Sequence, residues 1–206
     1  MSVFLSPLTS HLSPVCRVIA LLAIAACASP NPAAPAPKPA GTTGDPSRTY
    51  ALDQVFLLEV GGVPPGDTTL TVAPGARRVV VLRHGPPDNL VFAEVTLPAE
   101  AFDSAAPAPD PVRLSLRPRP GVYGVDLEGP TPMAGVTLTF KYPVHFSAPV
   151  DATRKYGNDV AFEAVLAVGQ LLPAGGIRFL VSTRPASDNL RATVPGPGSY
   201  VVGAPK

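Results

Sequence analysis

Proline constrains this chain more than any other residue: it supplies 28 of 206 positions, against a usual share of roughly 5%. Each proline fixes φ and removes a backbone donor, so one inside a helix costs about 3 kcal/mol or more. Two prolines fall within residues 1–26 and six within 28–47, which leaves twenty for residues 48–206. Spread in this way they interrupt nearly every stretch long enough for a helix and leave room for short strands joined by turns. From about Tyr50 to Gly203, short apolar runs recur at close spacing between Pro and Gly clusters, the signature of strands and their connections.

The expected strands are Gln54–Val60, Thr68–Val72, Arg78–Arg83, Leu90–Leu97, Val112–Leu116, Val122–Leu127, Val136–Tyr142, Val160–Val168, Ile177–Val181, Leu190–Val194 and Ser199–Val202. Alternation is clean over Val136–Tyr142, where Val136, Leu138 and Phe140 oppose Thr137, Thr139 and Lys141. A period of two marks a strand buried on one face only. Likewise Val112, Leu114 and Leu116 oppose Arg113, Ser115 and Arg117. Residues 159–168, DVAFEAVLAV, fit two descriptions. One is a helix with Asp159 near its N-cap; the other is a strand with Val160, Phe162, Ala164, Leu166 and Val168 on one face. The turn-like Gly157-Asn158 and Gly169 on either side favour the strand. No repeat of fixed period is evident. The fold class expected is all-β: an Ig-like, two-sheet antiparallel β-sandwich, following a signal peptide and a disordered Pro/Ala linker. Residues 48–206 form one domain in this reading, with 101–111 as a long loop or an internal boundary between two smaller domains.

Residues 28–47, ASPNPAAPAPKPAGTTGDPS, hold six prolines and five alanines. They cannot build a core, and such a composition favours extended polyproline II. At about 3.1 Å per residue, a tether of this length reaches roughly 60 Å. Ahead of it, Val18 to Ala26 give nine uninterrupted apolar residues after Arg17. That length suits the hydrophobic region of a secretory signal and falls far short of the roughly 18 residues that span a bilayer. The run ends in Ile24-Ala25-Ala26-Cys27, which resembles the lipobox of bacterial lipoproteins. The resemblance implies cleavage between Ala26 and Cys27, a signal peptide over 1–26, diacylglycerol attached to Cys27 and usually acylation of its new N-terminus, with no cofactor besides this covalent lipid. Two alternatives stand beside it: an ordinary signal cut after an Ala-x-Ala such as Ala23-Ile24-Ala25, and an anchor that is never cut. Cysteine usage agrees with lipidation. The chain has two cysteines, Cys16 and Cys27; removing the signal discards the first and leaves the second without a partner, and acylation explains it. The folded part then has no disulfide, no thiol nucleophile and no cysteine metal ligand.

Charge bounds the partners. The signal takes away one basic residue, so 16 − 1 = 15 Lys+Arg face 15 Asp+Glu. A balanced chain has no global field to gather nucleic acid or an anionic bilayer, so membrane contact must come from acyl chains. One chain holds marginally and two or three hold firmly. Ala28 is not the aspartate that lipoproteins retained in the inner membrane carry after the cysteine. The resemblance therefore implies a lipid-anchored place in the cell envelope, in the outer membrane of a host with two. Nothing in the sequence fixes an oligomeric state.

Motifs of catalysis are missing: no Gly-x-Ser-x-Gly, no His-Glu-x-x-His, no phosphate-cradling glycine loop and no calcium loop. His84 and His145 remain after the signal. His84 reads as a solvated strand-end residue beside the turn GPPDN, and His145, alternating with Val144 and Phe146, as facing away from the core. Together with Asp88 or Asp151 they would make a metal or general-base site, but no metal site is expected. Asp126 and Glu128, two apart on a strand, point the same way and form a carboxylate pair of the kind that binds Ca²⁺ or serves hydrolysis. Arg113, Arg117 and Arg119 form a basic cluster, and Arg77, Arg78 and Arg83 a second one. If the two strands were neighbours, one sheet face would be basic and suited to an acidic glycan, a phosphate or a partner's carboxylates. Arginines at strand edges also guard against aggregation.

From about Leu90 onward the order of segments resembles the β-sandwich domain shared by ankyrins, netrin receptors and zonula-occludens scaffolds. The segments are VFAEVTLPAEAF, GVYGVDLEGP, VTLTFKYP, RFLVSTRP and NLRATVPGPGSYVVG. The tryptophan often found late in that family is absent. This resemblance implies a structural or interaction module without common catalytic residues. The leading expectation is a membrane-anchored, non-enzymatic lipoprotein of the envelope, with Arg113, Arg117 and Arg119 as its contact face toward an envelope protein or acidic glycan. The rival is a carbohydrate-binding or hydrolytic accessory domain using Asp126, Glu128 or the histidines.

Overall fold

A computed structural model describes residues 48–102, 110–131, 133–142 and 146–206. The signal, Ala26, Cys27, the tether, most of the segment 101–111 and His145 lie outside the described residues. Two antiparallel sheets make up the structure. The larger has the order β1-β10-β9-β13-β7-β6-β3, with β2 paired to the far end of β13; the smaller runs β11-β12-β8-β5-β4. The strands are β1 (Thr49–Tyr50), β2 (Val55–Leu57), β3 (Thr68–Val72), β4 (Arg78–Arg83), β5 (Val91–Leu97), β6 (Val112–Pro118) and β7 (Gly124–Glu128). There follow β8 (Thr137–Lys141), β9 (Ala167–Leu171), β10 (Ile177–Phe179), β11 (Ser182–Thr183), β12 (Asn189–Thr193) and β13 (Gly198–Pro205). The all-β, two-sheet antiparallel sandwich expected from the sequence is what forms.

Alternation decides which residues fill the space between the sheets. Leu114 and Leu116 of β6, Val125 and Leu127 of β7, and Tyr200 and Val202 of β13 meet Val80 and Leu82 of β4 and Leu138 and Phe140 of β8 in one buried cluster. The β5 strand breaks its own period to add a residue. Leu82 pairs with Ala93 but Arg83 with Val91, so Phe92 is an extra residue in the ladder. A bulge of this kind re-aims a side chain. Phe92 turns into the core and stacks on Tyr123 at 5.2 Å and 9°, with Phe140 edge-on at 5.9 Å.

The larger sheet also closes on itself. Consecutive strands β1 and β2 pair with β10 and β13, two strands that flank β9. The short 3-10 turn Leu52–Gln54 carries the chain from one to the other. That loop of strands encloses a second, smaller apolar cluster of Val55, Ala167, Ile177, Phe179 and Val201. Directly paired residues share a face, so this cluster lies on the side of the sheet away from the main core. Close approach depends on glycine here. A Cβ on Gly203 would sit 2.6 Å from the Phe56 carbonyl oxygen, and one on Gly169 would sit 2.3 Å from Ile177 Cδ1. Backbone cannot give way cheaply, so Gly203→Ala is expected to cost about 1–3 kcal/mol, read as a lower denaturation midpoint. A cost below that of an exposed Gly→Ala control would show that β2 is not seated on β13.

Two helices interrupt the sheets, α1 (Val150–Tyr156) and α2 (Asp159–Val165). The expected strand over 160–168 is therefore wrong up to Val165, and the helical alternative holds. Asn158 is the cap, next to Asp159, and its side-chain oxygen accepts from the Ala161 N–H at 2.8 Å. Helical spacing sends Phe162 and Leu166 inward and leaves Val160 74% exposed. A strand would instead bury Val160. Gly157 at φ 90° joins the two helices, a left-handed conformation that glycine adopts freely. No helix among the described residues is long and apolar enough to cross a membrane.

Candidate functional site

The charged residues singled out by the sequence meet on the outer face of the larger sheet. Strands β6 and β7 pair with Arg117 opposite Asp126 and Ser115 opposite Glu128. Both carboxylates point outward together, as their spacing predicts. So do Arg113 and Arg117, and the two sets engage one another. Arg119 Nη1 donates to Asp126 Oδ1 at 2.6 Å, and Arg117 reaches Glu128 at 3.3 Å and Asp67 at 3.9 Å. Arg113, opposite Thr71 of β3, is exposed and takes no part in these pairs. The patch is thus an ion-pair ladder ending in Arg113, which forms no ion pair with a described residue. Beside it, Asp126, Glu128, Pro197 and Ser199 line an open groove of ≈ 490 Å³.

Such pairs contribute little to stability because water and salt screen them. With Arg119 and Asp126 each about one-third exposed, a double-mutant cycle of Arg119→Ala and Asp126→Ala is expected to show coupling of at most about 1 kcal/mol. Coupling beyond about 2 kcal/mol would mean that the pair is a structural clasp instead. Chemically, the ladder hydrogen-bonds to polar or charged partners of either sign.

The second arginine cluster lies elsewhere. Arg78 and Arg83 are in β4, the last strand of the smaller sheet, whereas Arg113 and Arg117 are in β6 of the larger one. The six arginines do not share a face. His84 is not a solvated strand-end residue: it is buried, with Nδ1 3.2 Å from the Val63 carbonyl oxygen and its ring edge-on to Phe92 at 5.4 Å. The inward parity of Val80 and Leu82 continues through His84, a pattern legible in the sequence but masked by the turn that follows. Asp151 is on α1 and pairs with Arg154 at 2.6 Å. Among the described residues no group of three or more His, Cys, Asp or Glu side chains could hold a metal ion.

Sequence reasoning passed over Arg184. It follows β11 and donates to the Tyr142 hydroxyl, to the Glu163 carbonyl, and to the Leu166 carbonyl at 3.4 Å. Tyr142 in turn donates to Glu163 Oε1 at 3.2 Å. A guanidinium on the carbonyls that end a helix satisfies orphan acceptors and complements the helix dipole. Burial raises the Tyr142 pKa well above its ordinary value; Arg184 opposes the shift and the Glu163 carboxylate adds to it. This network fastens α2 to the smaller sheet. Arg184 stands in a proline-flanked loop, and no local pattern announces a contact with residues about twenty and forty positions away.

Compared with known proteins, the chain matches no family model, no curated protein and no solved structure.

Proposed function

We propose that this chain is a lipid-anchored protein of the bacterial cell envelope that displays a β-sandwich as a non-enzymatic interaction module. The observation that carries the reading is Ile24-Ala25-Ala26-Cys27 at the end of a nine-residue apolar run, followed by a Pro/Ala tether and then by strands. Acyl chains on Cys27 would hold the protein at the membrane, in the outer membrane of a two-membrane host. The tether would carry the sandwich clear of the lipid. The resemblance, from about Leu90 to the end, to the β-sandwich domain shared by ankyrins, netrin receptors and zonula-occludens scaffolds supports an interaction role. Contact with an envelope protein or an acidic glycan would fall on the face bearing Arg113, Arg117 and Arg119.

The alternative is a carbohydrate-binding or hydrolytic accessory domain built on Asp126 and Glu128. The arginine carried by each of those carboxylates favours the first reading over it. Cells grown on labelled palmitate provide the test. The purified protein should carry label, Cys27→Ser should carry none, and the variant should appear in soluble fractions. An unlabelled wild-type protein would overturn the anchor. For the module, one envelope protein recovered with wild type but not with Arg117→Glu supports the interaction reading, while saturable glycan binding lost in Asp126→Ala supports the alternative.

A further inference from the structure

We propose that β4 is a docking edge for an extended, acidic-ended segment of a partner protein, which pairs with it as a sixth strand of the smaller sheet. Of the four sheet ends, β1 and β11 are two residues long and β3 five. β4 is the longest at six residues, and among the described residues β5 is the one strand that pairs with it. An edge of this length presents a row of unpaired backbone donors and acceptors, which proteins usually blunt with proline, inward charge or brevity. β4 carries no proline and is not short; its guards are the arginines at its two ends and the bulge of β5 at Phe92, and they leave the apolar middle of the edge open. Its sequence, RVVVLR, is an unbroken run of strand formers between arginines.

Its outward side chains complete the argument. Val79 is 43% and Val81 42% exposed, in rows that continue through Thr96 and Glu94 of β5. Glu94 is engaged by Lys141 at 2.8 Å and does not neutralise the arginines. Arg77 and Arg78 at one end of β4 form no ion pair with a described residue, and neither does Arg83 at the other, which donates to the Asn89 carbonyl at 3.1 Å. A strand added here gains main-chain hydrogen bonds from the edge and specificity from alternate side chains and end charges. A second copy of the chain is a poor occupant. Antiparallel pairing that keeps the outward faces together, with Val79 opposite Val81, would set Arg77 against Arg83 twice, and like charges directly opposite are destabilising. Acidic residues at the ends of the incoming strand, with apolar side chains to rest on Val79 and Val81, complement the edge. The inference names a partner class for the interaction reading but stands on β4 alone, so a protein without lipid would leave it intact.

The test uses the full chain in detergent with a fluorescent peptide of alternating valine and threonine bearing two glutamates at each end. Its twin carries lysines instead. The acidic peptide should bind saturably, weaken about tenfold between low and high salt, and slow hydrogen exchange of the amides in 78–83. The lysine peptide should not bind. Arg78→Glu combined with Arg83→Glu changes exposed positions only and should exchange the preference of the two peptides. Circular dichroism of that variant confirms that it folds. Equal binding of both peptides, no binding of either, an unexchanged preference, or protection outside β4 overturns the proposal. So does self-association that persists in the charge-reversed variant, which would give the edge to a second copy.

Discussion

Replacing Phe92 with alanine should remove about 3–5 kcal/mol of stability, the usual cost of truncating a buried aromatic. Phe92 is 1% exposed and meets Tyr123 face on, with Phe140 and His84 edge on. Removing it empties the centre of the main cluster and strips those aromatic contacts at once. The effect should appear as a lower midpoint in urea with an unchanged slope. Val91→Ala, the preceding, half-buried position, should cost about 1 kcal/mol or less. The contrast isolates the bulge, because regular alternation would bury Phe92 only by exposing Ala93, and both are buried. Equal losses at the two positions would refute the bulge as the device that delivers Phe92.

The second large effect is alkaline. Burial pushes Tyr123 and Tyr200 each from 10.0 up to about 12, and it raises Tyr142 and Tyr156 in the same direction. In the unfolded chain a tyrosine hydroxyl releases its proton near pH 10, while in the folded protein Tyr123 and Tyr200 hold theirs to about 12. Between those values the unfolded state binds fewer protons, so stability falls as pH rises. The contribution is complete below about pH 10 and is lost toward about pH 12, at about 3 kcal/mol for each group shifted by two units. Denaturation midpoints should be flat from neutral pH to about pH 9 and drop steeply above about pH 10. The chain has no tryptophan, so tyrosinate absorbance follows the same event and should rise together with loss of circular dichroism. Tyrosinate formation that reaches completion ahead of unfolding would contradict the burial. Tyr123→Phe is a direct control. No described residue gives its hydroxyl a hydrogen-bond partner, so the change should be neutral or stabilising at pH 7 and should shrink the alkaline loss.

Fold class was legible because it follows from local chemistry. Proline excluded long helices, short apolar runs between Pro and Gly clusters located β3, β4, β5 and β12 to within a residue or two, and period-two alternation marked β6 and β8. It also placed Leu138 and Phe140 inside and Thr137 and Lys141 outside. The stretch 159–168 resisted because Val, Phe, Ala and Leu satisfy both periods over so short a span. Asn158 settled it through one capping bond, and Phe162 and Leu166 through the core they fill. The carboxylate pair and the arginine cluster were each visible along the chain. Their mutual neutralisation was not, since it depends on β6 lying beside β7 in a fixed register.

Amino-acid order alone therefore determined a strand-rich chain and most of its inward and outward faces. Tertiary structure decided the rest: which strands became edges, that the two arginine clusters lie in different sheets, that His84 is buried, and that β1 and β2 close a second apolar cluster. The division has a physical origin. Alternation and proline act over a few residues, whereas pairing and edge status are set by contacts between segments far apart in the chain, whose free energy no local pattern encodes.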